Sequence, residues 1–140
     1  MGISKGSATW DGGLKTGKGT MKPANAGEAN FSVAARFEGQ PGSNPEELIG
    51  AALSGCFSMA LTSNLEKAGF KPQSVKTNAD VKLEKGADGF SITQIALTTV
   101  AKVEGVDDAK FQSVAEETKK GCPVSKALAG TTITLDAKLG

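Results

Sequence analysis

The segment from Leu48 to Leu61, LIGAALSGCFSMAL, carries apolar or small residues at almost every position. A helix of that composition has no broad solvent face. It must be buried on most sides, or between subunits, so it dictates what the rest of the chain has to cover. Its start is marked by Asn44 as N-cap, Pro45 at the first helical position and Glu47 at the capping-box position. Gly50 and Gly55 each weaken the helix by about 1 kcal/mol relative to alanine, and leave room for another backbone to approach. Gly69, with Pro72 beyond it, predicts where the helix stops.

Short strands are expected before it. Ser7 to Trp10, an Asp11-Gly12-Gly13 turn and a strand from Leu14 onward predict a hairpin. Lys22 to Asn30 is polar and loop-like, and Phe31 to Phe37 reads as a third strand. After the helix, Val75, Thr77, Ala79, Val81 and Leu83 alternate with polar neighbours, the pattern of a half-buried strand. Phe90 to Val103 predicts its partner, with a bulge where the alternation slips between Ile92 and Ile95. Asp107 to Lys120 reads as a second helix, Pro123 to about Ala129 as a short third, and Thr131 to Lys138 as a closing strand. The order βββ-α-ββ-αα-β is α+β. A chain of 140 residues is one domain, 1–140.

Composition narrows the chemistry. The net charge is +1, which argues against nucleic acid, whose binding needs a concentrated positive field. Histidine is absent, which removes Ser-His-Asp and Cys-His triads and every His-ligated metal. The N-terminal MGISKGSATW lacks an apolar core of signal-peptide length. No stretch is expected to reach the ~18 apolar residues that span a bilayer. The reading is a soluble cytoplasmic protein with neither a membrane nor a nucleic-acid partner. Of the 16 basic residues, Arg36 is the one arginine. In the apolar strand expected around it, a guanidinium needs a salt-bridge partner or a cavity to face.

Two cysteines, Cys56 and Cys122, stand 66 positions apart. Two thiolates without histidine cannot make a zinc site within one chain, and a cytoplasmic setting disfavours a static disulfide. Cys56 reads first as a small apolar residue in a core helix. Cys122 falls at the N-cap of the short helix before Pro123, where a thiolate is favoured, and on that ground alone is the more acidic thiol. A peroxide-reducing thiol must be ionised, reachable, and supplied with a group that resolves its sulfenic acid. Arg36 can provide the charge and a second cysteine the resolving thiol. Their proximity is not written in the residue types.

The segment ARFEGQPGSNPEELIGAALSGCFSMAL, the later TKKGCPVSKAL and the N-terminal GSATWDGGLKTGKGT hairpin together resemble the osmotically inducible protein C branch of the OsmC/Ohr peroxidases, nearly end to end. The resemblance implies an intertwined homodimer, with long central helices flanked by antiparallel sheets and active sites at the subunit interface. It also implies a cysteine-based peroxidase that reduces organic hydroperoxides and hydrogen peroxide in oxidative or osmotic stress, without cofactor or metal. By the same resemblance Cys56 is the peroxidatic cysteine and Cys122 the resolving one. Arg36 is the thiolate-stabilising arginine and Glu46 the carboxylate that positions it. Glu47 competes for the last role, but a capping box would occupy it at the helix N-terminus.

In the implied reaction a Cys56 sulfenic acid condenses with Cys122 to a disulfide, which an external dithiol or lipoyl-type thiol reduces. Phe37, Phe57, Ile49 and Met59 are either walls of an apolar pocket or plain core. The alternatives are a non-enzymatic stress or binding dimer and a redox sensor using the same cysteine pair. Glu46 and Cys56 lie ten positions apart on one helix, about 15 Å along its axis. The expectation is that Arg36 and Glu46 of one subunit serve Cys56 and Cys122 of the other.

Overall fold

The computed structural model describes Gly2 to Gly140. The chain divides into two compact units, the first running to Glu47 and the second from Leu48 to Gly140.

In the first unit, strands β1 (Gly6–Asp11), β2 (Lys18–Pro23) and β3 (Ala29–Phe31) form an antiparallel sheet in that order. The hairpin loop is longer than the expected turn. Gly12, with φ of 94°, begins it, and Gly17 N–H closes it on the Gly13 carbonyl at 2.8 Å. The second strand therefore starts at Lys18 and not at Leu14. Gly19 pairs with both Trp10 and Phe31, whose ring centroids are 5.4 Å apart. A Cβ at Gly19 would lie 2.5 Å from Phe31 Cε1 and 2.8 Å from Trp10 Cε3. Glycine is what lets the two aromatic rings meet across the middle strand.

The expected strand from Phe31 to Phe37 is corrected. It ends at Phe31, and Val33–Phe37 is a short helix, α1. Ser32 caps it, its Oγ accepting from Ala35 N–H at 3.0 Å, and Arg36 N–H bonds back to the Ser32 carbonyl at 3.0 Å. A local cap followed by two alanines outweighs the strand preference of the flanking phenylalanines. The order becomes βββ-αα-ββ-αα-β.

The long helix α2 (Pro45–Lys67) begins where its caps predict, with Asn44 Oδ1 accepting from Glu47 N–H at 2.9 Å. Glu47 does not complete a capping box; its carboxylate accepts from the Ser43 hydroxyl at 2.6 Å instead. In the second unit, Leu53, Phe57, Leu61 and Leu65, one every fourth position, are fully buried. They join Ile95, Leu97 and Ala101 and the helix residues Phe111, Val114 and Ala115 in one core. By length and composition this 23-residue helix, an 18-residue window of which has mean hydropathy 1.4, would suffice to cross a membrane. That corrects the expectation that no stretch does. One stripe of it is committed to the core just described.

Strands β4 (Lys71–Gly86) and β5 (Gly89–Glu104) form a long antiparallel hairpin. The expected bulge is there. Lys82 pairs with Gln94 and Leu83 with Ile92, leaving Thr93 as the extra residue. After it the inward positions become Ile95, Leu97, Thr99 and Ala101. Thr99 is buried with its polar needs met: its hydroxyl lies 3.0 Å from that of Thr77, which also receives Ser58 Oγ of α2 at 2.7 Å. Helix α3 (Asp108–Gly121), capped by Asp107, and helix α4 (Pro123–Ala127), with Cys122 as N-cap, lead to β6 (Thr132–Leu139). Strand β6 pairs with β5 in parallel, which corrects the expectation of purely antiparallel sheets. A helical crossover returns the chain to the end of the sheet where β5 began, and a strand entering there runs parallel.

Candidate active site

The sequence-predicted site residues fall into two pairs, one inside each unit. The first pair is Arg36 and Glu46. Arg36 stands in the last turn of α1, and the loop that follows doubles back. Gly42, with φ of 139°, packs where a Cβ would be 2.9 Å from Ala35 Cβ, a backbone conformation and a space that suit glycine alone. Ser43 N–H then bonds to the Asn30 carbonyl at 2.7 Å. This fold-back delivers the first turn of α2 to α1. Arg36 Nε donates to Glu46 Oε2 at 3.1 Å, and Nη2 donates to Oε1. The contact is a two-point fork, the geometry in which guanidinium and carboxylate fix each other's orientation. Glu46 is buried, whereas the Arg36 side chain keeps 31% of its surface. Glu47 is engaged elsewhere, with the Ser43 hydroxyl and not in the expected capping box.

Arg36 also borders a cavity of about 260 Å³ lined by Trp10, Leu14, Phe31, Val33 and Phe37. Its guanidinium carbon lies 5.4 Å from the Phe37 ring centroid. Of the four expected pocket walls, Phe37 alone lines this cavity. Phe57 is wholly core, Ile49 packs against that core, and Met59 is exposed. Trp10, Leu14 and Phe31 were not anticipated beside the arginine. The sequence signal for them was the glycine at position 19, across which Trp10 and Phe31 meet.

The second pair is Cys56, in the middle of α2, and Cys122, in the joint between α3 and α4. Both are free thiols, with Sγ atoms 2.7 Å apart, beyond the ~2.05 Å of a disulfide. Cys122 is buried, held by its own N–H to the Thr118 carbonyl at 2.9 Å, while Cys56 is partly exposed. Their environments separate them. Burial, then the hydrogen bond with Cys122, pushes the Cys56 thiol above its usual value, against the Val124 N–H. Burial also pushes Cys122 up. Hydrogen bonding with Cys56 and with the N–H groups of Ser125 and Val124 outweighs it and brings that thiol below its usual value. Within this unit Cys122 is thus the thiol of lower proton affinity, in keeping with its place at a helix cap. Val124 and Ser125 are neighbours of Cys122 that sequence reading missed. Their signal is their position, two and three residues after a capping cysteine.

Residues 37–137 match the family described as OsmC-like protein. The chain is 47% identical over 137 residues to peroxiredoxin OsmC of Escherichia coli (strain K12), covering 96% of this chain and 95% of that protein. It is 30% identical over 106 residues to organic hydroperoxide resistance protein OhrB of Bacillus subtilis (strain 168), covering 75% and 74%. The crystal structure of B. subtilis OhrB superposes with a TM-score of 0.71 at 26% identity, over 95% of this chain and 97% of that one. With the paired cysteines and the forked arginine in place, the sequence and the fold agree: this chain belongs to the OsmC-like family.

Proposed function

We propose that this chain is a thiol-dependent hydroperoxide peroxidase in which Cys56 attacks and Cys122 resolves. The Cys56 thiolate attacks the distal peroxide oxygen. The O–O bond breaks, the leaving alkoxide or hydroxide is protonated to alcohol or water, and Cys56 becomes a sulfenic acid. The Cys122 thiolate attacks that sulfur, an S–S bond forms, and the hydroxyl leaves as water. An external dithiol returns both cysteines to thiols by exchange. The single observation that carries the reading is the 2.7 Å contact between the two sulfurs.

Cys56 needs a cation to ionise, because its own unit pushes its proton affinity up. Arg36, held rigid by Glu46, supplies it, and the cavity of Trp10, Leu14, Phe31 and Phe37 suits the organic part of a hydroperoxide. Arg36 and Glu46 of one subunit serve the cysteines of a second copy in a homodimer. The exposed face of α2, with Ala51, Ala52, Gly55 and Met59 uncovered, supports such a partner surface. The 140 residues act as one functional domain, working in the cytoplasm under oxidative or osmotic stress.

A thiol count tests the reaction. One equivalent of tert-butyl hydroperoxide should remove two free thiols per chain, and a dithiol should restore both. Two thiols remaining would refute it. The lowered proton affinity of Cys122 favours one second reading, in which Cys122 attacks and Cys56 resolves. A Cys122→Ser chain decides between them, because it oxidises at Cys56 in the first reading and not at all in the second.

A further inference from the structure

The sulfur contact between Cys56 and Cys122 is accompanied by a second polar contact between the same two chain segments. Eight positions beyond Cys56 on α2, Asn64 Nδ2 donates to Thr118 Oγ1 of α3 at 2.9 Å. Thr118 is buried and in turn holds the cysteine. Its carbonyl accepts the Cys122 N–H at 2.9 Å, and its hydroxyl donates to the Val114 carbonyl at 2.7 Å. With that hydrogen committed, the hydroxyl can only accept from Asn64, so the direction of the bond is fixed. Nor does the bond rescue an orphan, because the Thr118 hydroxyl already has a partner without it. Burial of Leu61 and Leu65 with Val114 and Ala115 in one core already holds the two helices together. An apolar pair in place of Asn64 and Thr118 would be near neutral or stabilising. What apolar contact does not supply is direction. A hydrogen bond weakens steeply off its axis and so resists sliding of one helix along the other.

We infer that Asn64 and Thr118 are positioning residues that hold Cys122 in line with the Cys56 sulfur, and so set how fast the disulfide closes relative to further oxidation. The inference rests on the disulfide cycle proposed above. Once Cys56 is a sulfenic acid, two reactions compete for its sulfur. In one, the Cys122 thiolate attacks, an S–S bond forms, the S–O bond breaks and the hydroxyl leaves as water. In the other, a second hydroperoxide transfers its distal oxygen to that sulfur. The O–O bond breaks, the remainder leaves as alcohol, and Cys56 becomes a sulfinic acid that thiols do not recover. The first reaction is intramolecular, and its rate depends on the two sulfurs being held in reach and aligned. From 2.7 Å they must close to the ~2.05 Å of a bond, with Cys122 arriving opposite the departing oxygen. Cys122 lies at the junction of α3 and α4, so a shift of α3 against α2 is felt at its sulfur. The Thr118 carbonyl fixes the Cys122 backbone, and Asn64 fixes Thr118 to the helix that bears Cys56.

Asn64→Ala removes the clamp while the Thr118 hydroxyl keeps its bond to Val114. Asn64→Leu combined with Thr118→Val replaces the clamp with apolar groups of similar shape. Thr118→Ser keeps the hydroxyl and gives up a buried methyl. The first measurement is the tert-butyl hydroperoxide concentration at which half of Cys56 has become sulfinic acid during turnover with dithiothreitol, read by intact mass. It should fall about tenfold in Asn64→Ala and in the paired exchange, and stay at the wild-type value in Thr118→Ser. The initial oxidation of Cys56, timed in a Cys122→Ser background, should be the same with and without Asn64→Ala. The second measurement is the effective concentration of the two thiols, from a glutathione redox titration, which should fall in the same two variants. Wild-type values in Asn64→Ala, or losses that follow thermal stability across the three variants, would overturn the role and leave the pair as packing. Failure of the underlying cycle looks different: the wild-type chain would form no disulfide with peroxide. The glutathione titration, which needs no peroxide, would still decide whether Asn64 aligns the thiols.

Discussion

The sulfurs of Cys56 and Cys122 lie 2.7 Å apart although 66 residues separate them in sequence. One is set in the middle of a long helix and the other in the joint between two short ones, so each thiol keeps its own surroundings while touching the other. This asymmetry predicts different fates. Cys56→Ser should reduce peroxide consumption to background, since a serine hydroxyl is neither ionised at neutral pH nor oxidisable. Cys122→Ser should react once and hold a sulfenic acid on Cys56, passing to sulfinic acid with excess oxidant. Intact-mass spectrometry after one equivalent of peroxide checks both.

Arg36→Lys keeps the charge and loses the fork with Glu46. A lysine ammonium cannot hold two carboxylate oxygens in a plane and present a second edge to a thiolate. Turnover should fall about ten- to a hundredfold. The labelling profile of Cys56 should move to higher pH in both Arg36→Lys and Arg36→Ala. In Arg36→Ala, Cys122 should label at lower pH than Cys56, following the opposite directions of their shifts. Peptide mapping of iodoacetamide adducts across pH reads this directly. An unmoved Cys56 profile would confine the arginine to a structural role.

Sharing of the site between subunits can be read from a mixed dimer. Subunits carrying Arg36→Ala, co-expressed with subunits carrying Cys56→Ser and isolated by two tags, should recover about half the wild-type activity. One complete set of four residues then exists per dimer. A site built within one chain would leave the mixed dimer as inactive as either parent.

Gly19→Ala tests the first unit by itself. The added methyl would meet Phe31 on one side and Trp10 on the other, and overpacking of this kind destabilises by about 1–3 kcal/mol. Trp10 is the sole tryptophan, so its fluorescence in a urea titration reports this unit without interference. The midpoint should fall; an unaltered midpoint would mean the rings can part without loss.

What could be read from the sequence was what is locally encoded. Asn44, Pro45 and Glu47 placed the start of α2 because a cap is written within four residues. The slip between Ile92 and Ile95 placed the bulge at Thr93 because alternation counts single residues. Helix α1 was missed because five residues carry too little periodicity to compete with two phenylalanines. The direction of β6 was missed because a crossover, and not the strand itself, decides it. The fork between Arg36 and Glu46 was implied by the family resemblance, and the capping box expected to occupy Glu47 is not made, its carboxylate taking the Ser43 hydroxyl instead. The thiol contact was not legible in the residue types, since Cys56 and Cys122 are brought together by chain segments far apart in sequence.

The parallel pairing of β6 with β5 has a consequence for when the chemistry exists. The α3–α4 crossover that carries Cys122 is tied down at its far end by β6, and Gln112 of α3 bonds the Ala137 carbonyl at 2.7 Å. A chain with the β4–β5 hairpin formed but β6 undocked would have only a long, loose loop between its two thiols, whose closure is entropically opposed. In the proposed cycle, a sulfenic acid on Cys56 would then have no neighbour to capture it and would proceed to irreversible oxidation. Protection of the chain against self-inactivation would thus come with the docking of β6 against β5. It is lost again whenever that strand frays, so oxidative damage to this enzyme should begin as a failure of its sheet edge.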